Sequence, residues 1–154
     1  MPKNPKEELV FSIMMVICMV YVMVFYNVSL EVGLSYNTFI IALKALPITA
    51  LIAWLVEELF VGKLARKIAF NNVDPKKSES IIIIVLISSI TVMFMCPIMS
   101  FIETIIYHYN TLSSIPLIFI KTFTLNIPVA LFAQLLYVGP FVRFIFEKTK
   151  KYIR

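Results

Sequence analysis

Leu9–Leu30 reads LVFSIMMVICMVYVMVFYNVSL and holds no charged side chain. A helix needs about 20 apolar residues to cross roughly 30 Å of hydrocarbon, so this stretch is long enough to span a bilayer. Ile81–Ile102, IIIIVLISSITVMFMCPIMSFI, is uncharged as well. Two further apolar runs, Thr38–Val56 and Ile115–Val142, carry Lys44 and Lys121 as their only charges. Between the runs lie Asn27, Gly33 and Asn37, then Asn71, Asn72, Asp74 and Pro75, then His108, Asn110 and Ser113, which are turn and interface residues. The runs are continuously apolar rather than alternating, which favours helices over a barrel. The predicted fold is all-α, with four transmembrane helices at about 9–30, 38–60, 80–104 and 115–146. The first run is too long for a signal-peptide core and no small-x-small site follows it, so it reads as a retained helix.

Composition agrees. Apolar residues make up 60% of the chain and charged ones 15%, with a mean hydropathy of +0.92. A soluble domain has roughly 45–50% apolar and about 25% charged residues. Too little polar surface remains to coat a water-soluble globule. A cytosolic enzyme, a disulfide-stapled secreted domain and a disordered tail are excluded. There is no glycine-rich phosphate loop and no HExxH, and Cys18, Cys96 and the single His108 have no zinc spacing. The expectation is a protein that is not an enzyme and carries no cofactor.

Charge placement predicts topology. Twelve of the 14 Lys and Arg fall in three segments. Lys3 and Lys6 precede the first run, Lys63, Arg66, Lys67, Lys76 and Lys77 fill the middle loop, and Arg143, Lys148, Lys150, Lys151 and Arg154 follow the last run. The loops around 31–37 and 104–114 have none. By the positive-inside rule both termini and the middle loop are cytoplasmic. The net charge of +5 is then a topology signal with anionic headgroups within reach, and it does not point to nucleic acid. The expected partners are the lipid bilayer and a second copy or a membrane partner protein.

The second half echoes the first. Adding 77 takes Lys44 to Lys121, Glu57 to Gln134, Val61 to Val138, Gly62 to Gly139 and Arg66 to Arg143. Tyr-Asn-Thr recurs at 36–38 and 109–111, and a shift of 76 pairs Met19 with Met95 and Met23 with Met99. The chain therefore divides into hairpin repeats at 1–72 and 73–154. Each has an even number of spans, so the two enter the membrane in the same sense, as parallel repeats.

The stretches MPKNPKEELVF (1–11), EELFVGKLARKIAFNNVDP (57–75), MCPIMSFIET (95–104) and YVGPFVRFIF (137–146) together resemble a bacterial membrane family, the domain of unknown function 2798 in its tandem-repeat form. VGKLARK, VDPKK and MCPIMS are the most specific pieces, and the resemblance covers nearly the whole chain. It implies a small multi-pass protein of the bacterial plasma membrane. It implies no activity and no functional residue.

Two residue sets are candidates for chemistry. Lys44 and Lys121 sit about 10 Å inside the outer boundary, counting about 1.5 Å per residue. An ammonium there costs a few kcal/mol unless paired or hydrated. Facing each other, the lysines form a cationic site for a small anionic solute, with Asn126 and Gln134 as polar neighbours. The plainer reading is that each snorkels to the headgroups and pairs with Glu31 or Glu103. The second set is Met19, Met23, Met95, Cys96 and Met99, soft ligands of the kind Cu(I) selects. Its plainer reading is apolar packing, the ordinary use of methionine. Pro47, Pro97 and Pro128 fall inside the runs and predict kinks. The function expected is a small secondary transporter or permease, and its rival is a non-catalytic membrane scaffold or regulatory subunit.

Overall fold

The computed structural model describes residues 5–73, 80–108 and 115–153. Lys3, Asp74 to Lys77, Tyr109 to Thr111, Ser113 and Arg154 lie outside the described residues. Among those described, the chain is helical and has no strand. Helix α1 spans Pro5–Val32, α2 Tyr36–Val56, α3 Gly62–Asn72, α4 Ser80–His108, α5 Ile115–Phe132 and α6 Gly139–Ile153. Glu57–Val61 is a π turn joining α2 to α3, and Ala133–Val138 is a second joining α5 to α6. Among the described residues, four helical stretches are long and apolar enough to cross a membrane: Leu9–Val32, Tyr36–Asn72, Ile82–Ile105 and Ile115–Thr149.

Helix α1 stops where Gly33 turns left-handed, at φ +81°. The Gly33 N–H then donates to the Ser29 carbonyl at 3.0 Å. The turn is locked by Thr38, whose hydroxyl donates to the Gly33 carbonyl at 2.8 Å and accepts from the Ser35 N–H at 3.3 Å. Nothing lies within 4 Å of the position a Gly33 Cβ would take, so only the backbone penalises a side chain there. Gly33→Ala is expected to cost roughly 1 kcal/mol, read as a lower thermal midpoint. Gly33→Asn should recover part of it, because asparagine tolerates this conformation.

The three prolines lie inside α2, α4 and α5. The helical hydrogen-bond pattern changes at the two π turns. These sit at repeat-equivalent places, each followed by a glycine. The Gly62 N–H donates to the Glu57 carbonyl, five residues back. That carbonyl then crowds the glycine. A Cβ on Gly62 would lie 3.0 Å from Glu57 O, and one on Gly139 would lie 2.5 Å from Gln134 O. The following arginine lies back over each glycine, and Arg66 Nε donates to Gly62 O at 3.1 Å.

The chain forms two compact units, Met1–Leu55 with Ala133–Arg154, and Val56–Phe132. In the first, α1 packs against the second π turn and α6. Met15, Val138 and Val142 form its core, with Phe11, Met14, Cys18, Met19 and Val22 against them. Phe11 meets the buried Phe146 edge to face at 5.3 Å. In the second unit, α4 packs against α5, the first π turn and α3. Phe101 meets Phe119 edge to face at 5.8 Å, and Ala65 and Ala69 of α3 are buried. Each unit thus joins the first helix of one sequence repeat to the C-terminal segment of the other. An amphipathic helix needs an apolar partner for its buried stripe, and in each unit the other repeat supplies it.

Burial follows the duplication. At a shift of 77, the pairs Ala53 and Ala130, Val61 and Val138, Ala65 and Val142, and Ala69 and Phe146 are buried in both copies. Leu43 and Ile120, Leu59 and Leu136, Phe60 and Tyr137, and Leu64 and Phe141 are exposed in both. At a shift of 76, Val16 pairs with Val92, Val20 with Cys96 and Val24 with Ser100, all buried.

Candidate functional site: a polar seam in the second hairpin

Helix α4 buries a stripe repeating every four residues: Ser88, Val92, Cys96, Ser100 and Thr104. That spacing places side chains on one face of a helix. Its C-terminal part is polar. The Thr104 hydroxyl donates to the Ser100 carbonyl at 2.7 Å, and Cys96 stands about one turn before Ser100 on the same buried face. From α5, Asn126 Nδ2 donates to Ser100 Oγ at 3.3 Å. Ser100 is 1% exposed and Asn126 is 3% exposed. The second polar atom of that amide, Asn126 Oδ1, is buried with no hydrogen-bond partner among the described residues. Turning the amide over leaves the nitrogen unpaired instead, so one group is always short of a partner. A buried polar group in that state costs about 1–3 kcal/mol and marks a place for a water or a ligand atom. Ser12 Oγ and Trp54 Nε1 are likewise buried and unpartnered, but neither has a hydrogen bond to a second buried side chain of this kind.

The seam has no counterpart in the first hairpin. Cys96 and Ser100 correspond to Val20 and Val24, and Asn126 corresponds to Thr49, each of them buried. The Thr49 hydroxyl turns back on its own helix and donates to the Ala45 carbonyl at 2.7 Å. The first hairpin thus buries Val20, Val24 and Thr49 at the matching places without a hydrogen bond between the two helices there.

The residues singled out from the sequence fall in different places. Asn126 and Gln134 are buried, Glu103 is half-buried, and Glu31 is exposed. Lys44 and Lys121 are both exposed on their helices, so neither brings a buried charge to a site. Met19 packs against the apolar core around Val138 and Val142. Met23, Met95 and Met99 are half-buried, and Cys96 belongs to the polar stripe. No group of three or more His, Cys, Asp and Glu comes together among the described residues. Ser100 and Thr104 were not singled out. Setting the repeats side by side at a shift of 76 reveals Ser100, since a valine stands opposite it.

Comparison with known proteins covers nearly the whole molecule. The chain is 34% identical over 158 residues to the uncharacterized protein YybC of Bacillus subtilis (strain 168), which covers 98% of this chain and 96% of that protein. No solved structure matches it. The domain of unknown function DUF2798 matches twice, at residues 4–72 and 76–150. The chain belongs to the DUF2798 family and carries its domain in two tandem copies.

Proposed function

We propose that this protein is a small permease of the bacterial plasma membrane, with both termini and the middle loop cytoplasmic. Its two hairpins enter the bilayer in the same sense. A small, neutral, hydrogen-bonding solute passes along the seam of the second hairpin. Asn126 and Ser100 offer it an acceptor and a hydroxyl, and Cys96 and Thr104 flank them. Lys44 and Lys121 then act as headgroup anchors, which suits their exposure. The observation that carries this reading is the unpartnered Asn126 oxygen in a seam that the duplicated hairpin lacks. Polar groups held within apolar helices are expensive and tend to mark solute paths.

A second reading is a membrane scaffold without transport. It is favoured by α2, where Phe39, Ile41, Leu43, Ile48 and Leu51 are exposed and suit a partner helix. One experiment separates the two. In a Cys18→Ser background, Cys96 is the only thiol. Sealed vesicles are treated with a charged, water-soluble methanethiosulfonate, then unfolded and titrated for remaining thiol. A permease exposes Cys96 to water, so most of it is modified before unfolding. Modification only after unfolding means a dry seam and sinks the permease in favour of the scaffold.

A further inference from the structure

We propose that the two C-terminal helical segments, around α3 and α6, are docking surfaces for anionic phospholipid headgroups. This inference rests on membrane insertion and is independent of the seam. Tyr36–Asn72 is a helical stretch of 37 residues, or about 55 Å at about 1.5 Å per residue. The hydrocarbon layer takes only about 30 Å, which the 21 residues of α2 already fill. The first π turn and α3 therefore overhang on one side, and the second π turn and α6 overhang in the same way.

These overhangs are two-faced. One face, with Val61, Ala65 and Ala69, or Val138, Val142 and Phe146, is buried within its unit. The other exposes large apolar groups: Leu59, Phe60, Leu64 and Phe70 in one, Leu136, Tyr137, Phe141 and Phe144 in the other. Cations are set among them. Lys63 and Lys67 are exposed on α3 beside Phe60 and Phe70. Lys148 is exposed on α6, with its ammonium 4.3 Å from the Phe144 ring centroid.

Exposed aromatics interleaved with lysines at the end of a membrane crossing match a lipid interface, where rings sit at headgroup level and ammonium groups meet phosphates. Charge selects the occupant. From Glu57 to Val73 the chain has three cations and two acids, and from Ala133 to Ile153 four cations and one acid, so both overhangs carry net positive charge and the complementary surface is anionic. A bilayer leaflet supplies both the apolar depth and the negative charge.

The test uses the full chain in nanodiscs of phosphatidylcholine alone or mixed with phosphatidylglycerol, with copurifying lipid read by native mass spectrometry. The wild type is expected to retain phosphatidylglycerol about tenfold over phosphatidylcholine, with the preference fading at high salt. Lys63→Gln with Lys67→Gln and Lys148→Gln should abolish the preference. Equal retention by the wild type, or a preference that survives the triple substitution, overturns the proposal. So does a triple substitution that instead breaks a stable dimer, since a second copy would then cover the face.

Discussion

Gly139→Ala is expected to destabilise the protein by about 1–3 kcal/mol, the usual cost of forcing a methyl into filled space. The sign is the informative part. Alanine inside an ordinary helix is favoured over glycine by roughly 0.5–1 kcal/mol, so a glycine placed there by chance would give a more stable variant. At Gly139 the π turn points the Gln134 carbonyl at the Cα, leaving 2.5 Å for a Cβ. That oxygen is backbone, so relief requires unwinding the turn and rotating α6 against α1. The edge-to-face contact of Phe11 with Phe146 would then loosen. Gly62→Ala meets its carbonyl at 3.0 Å and should cost less. Thermal unfolding in detergent measures both. A higher midpoint for Gly139→Ala would contradict the π geometry.

The second large effect separates structure from function in the seam. Ser100→Val with Asn126→Thr rewrites the second hairpin with the residues of the first. If the seam were needed for packing, the fold would suffer. Because Val24 and Thr49 are buried at the matching places, the double variant is expected to keep the wild-type thermal midpoint. It also removes the unpartnered amide oxygen, so it should be no less stable. Water entry should fall. With the unpartnered amide oxygen gone from the α4–α5 contact, modification of Cys96 by a charged thiol reagent is expected to slow roughly tenfold, the equivalent of about 1.4 kcal/mol. Unchanged labelling would mean that water reaches Cys96 by another way. A collapse in stability would make the seam structural.

Some of this was legible in the residues. Length and apolarity located the four long helical stretches, since hydrocarbon thickness dictates how many residues a crossing takes. The shift of 77 that pairs Gly62 with Gly139 also pairs the buried and exposed positions of the second helices. The π turns were not legible. A bond five residues back uses the same residue types as one four residues back, and only the paired glycines hint at the change. The prolines predict kinks, and α2, α4 and α5 run on as helices through them. The pairing of α1 with α6, and of α4 with α3, was hidden for another reason. An amphipathic pattern says that a face is buried but not which helix covers it. The lysines drew attention because charge is conspicuous in an apolar run. Ser100 and Thr104 did not, because small polar residues are common in such helices.

The central claim is that the Asn126 amide meets water or solute within an otherwise apolar helix pair. Solid-state NMR of asparagine-labelled protein in lipid bilayers tests it directly. The Asn126 side-chain signal is assigned by its loss in Asn126→Thr, and magnetisation is transferred from water to the side-chain amides. A strong transfer to Asn126, comparable with that to the exposed Asn72, is the expected result. No transfer to Asn126 under conditions where Asn72 responds would contradict the account.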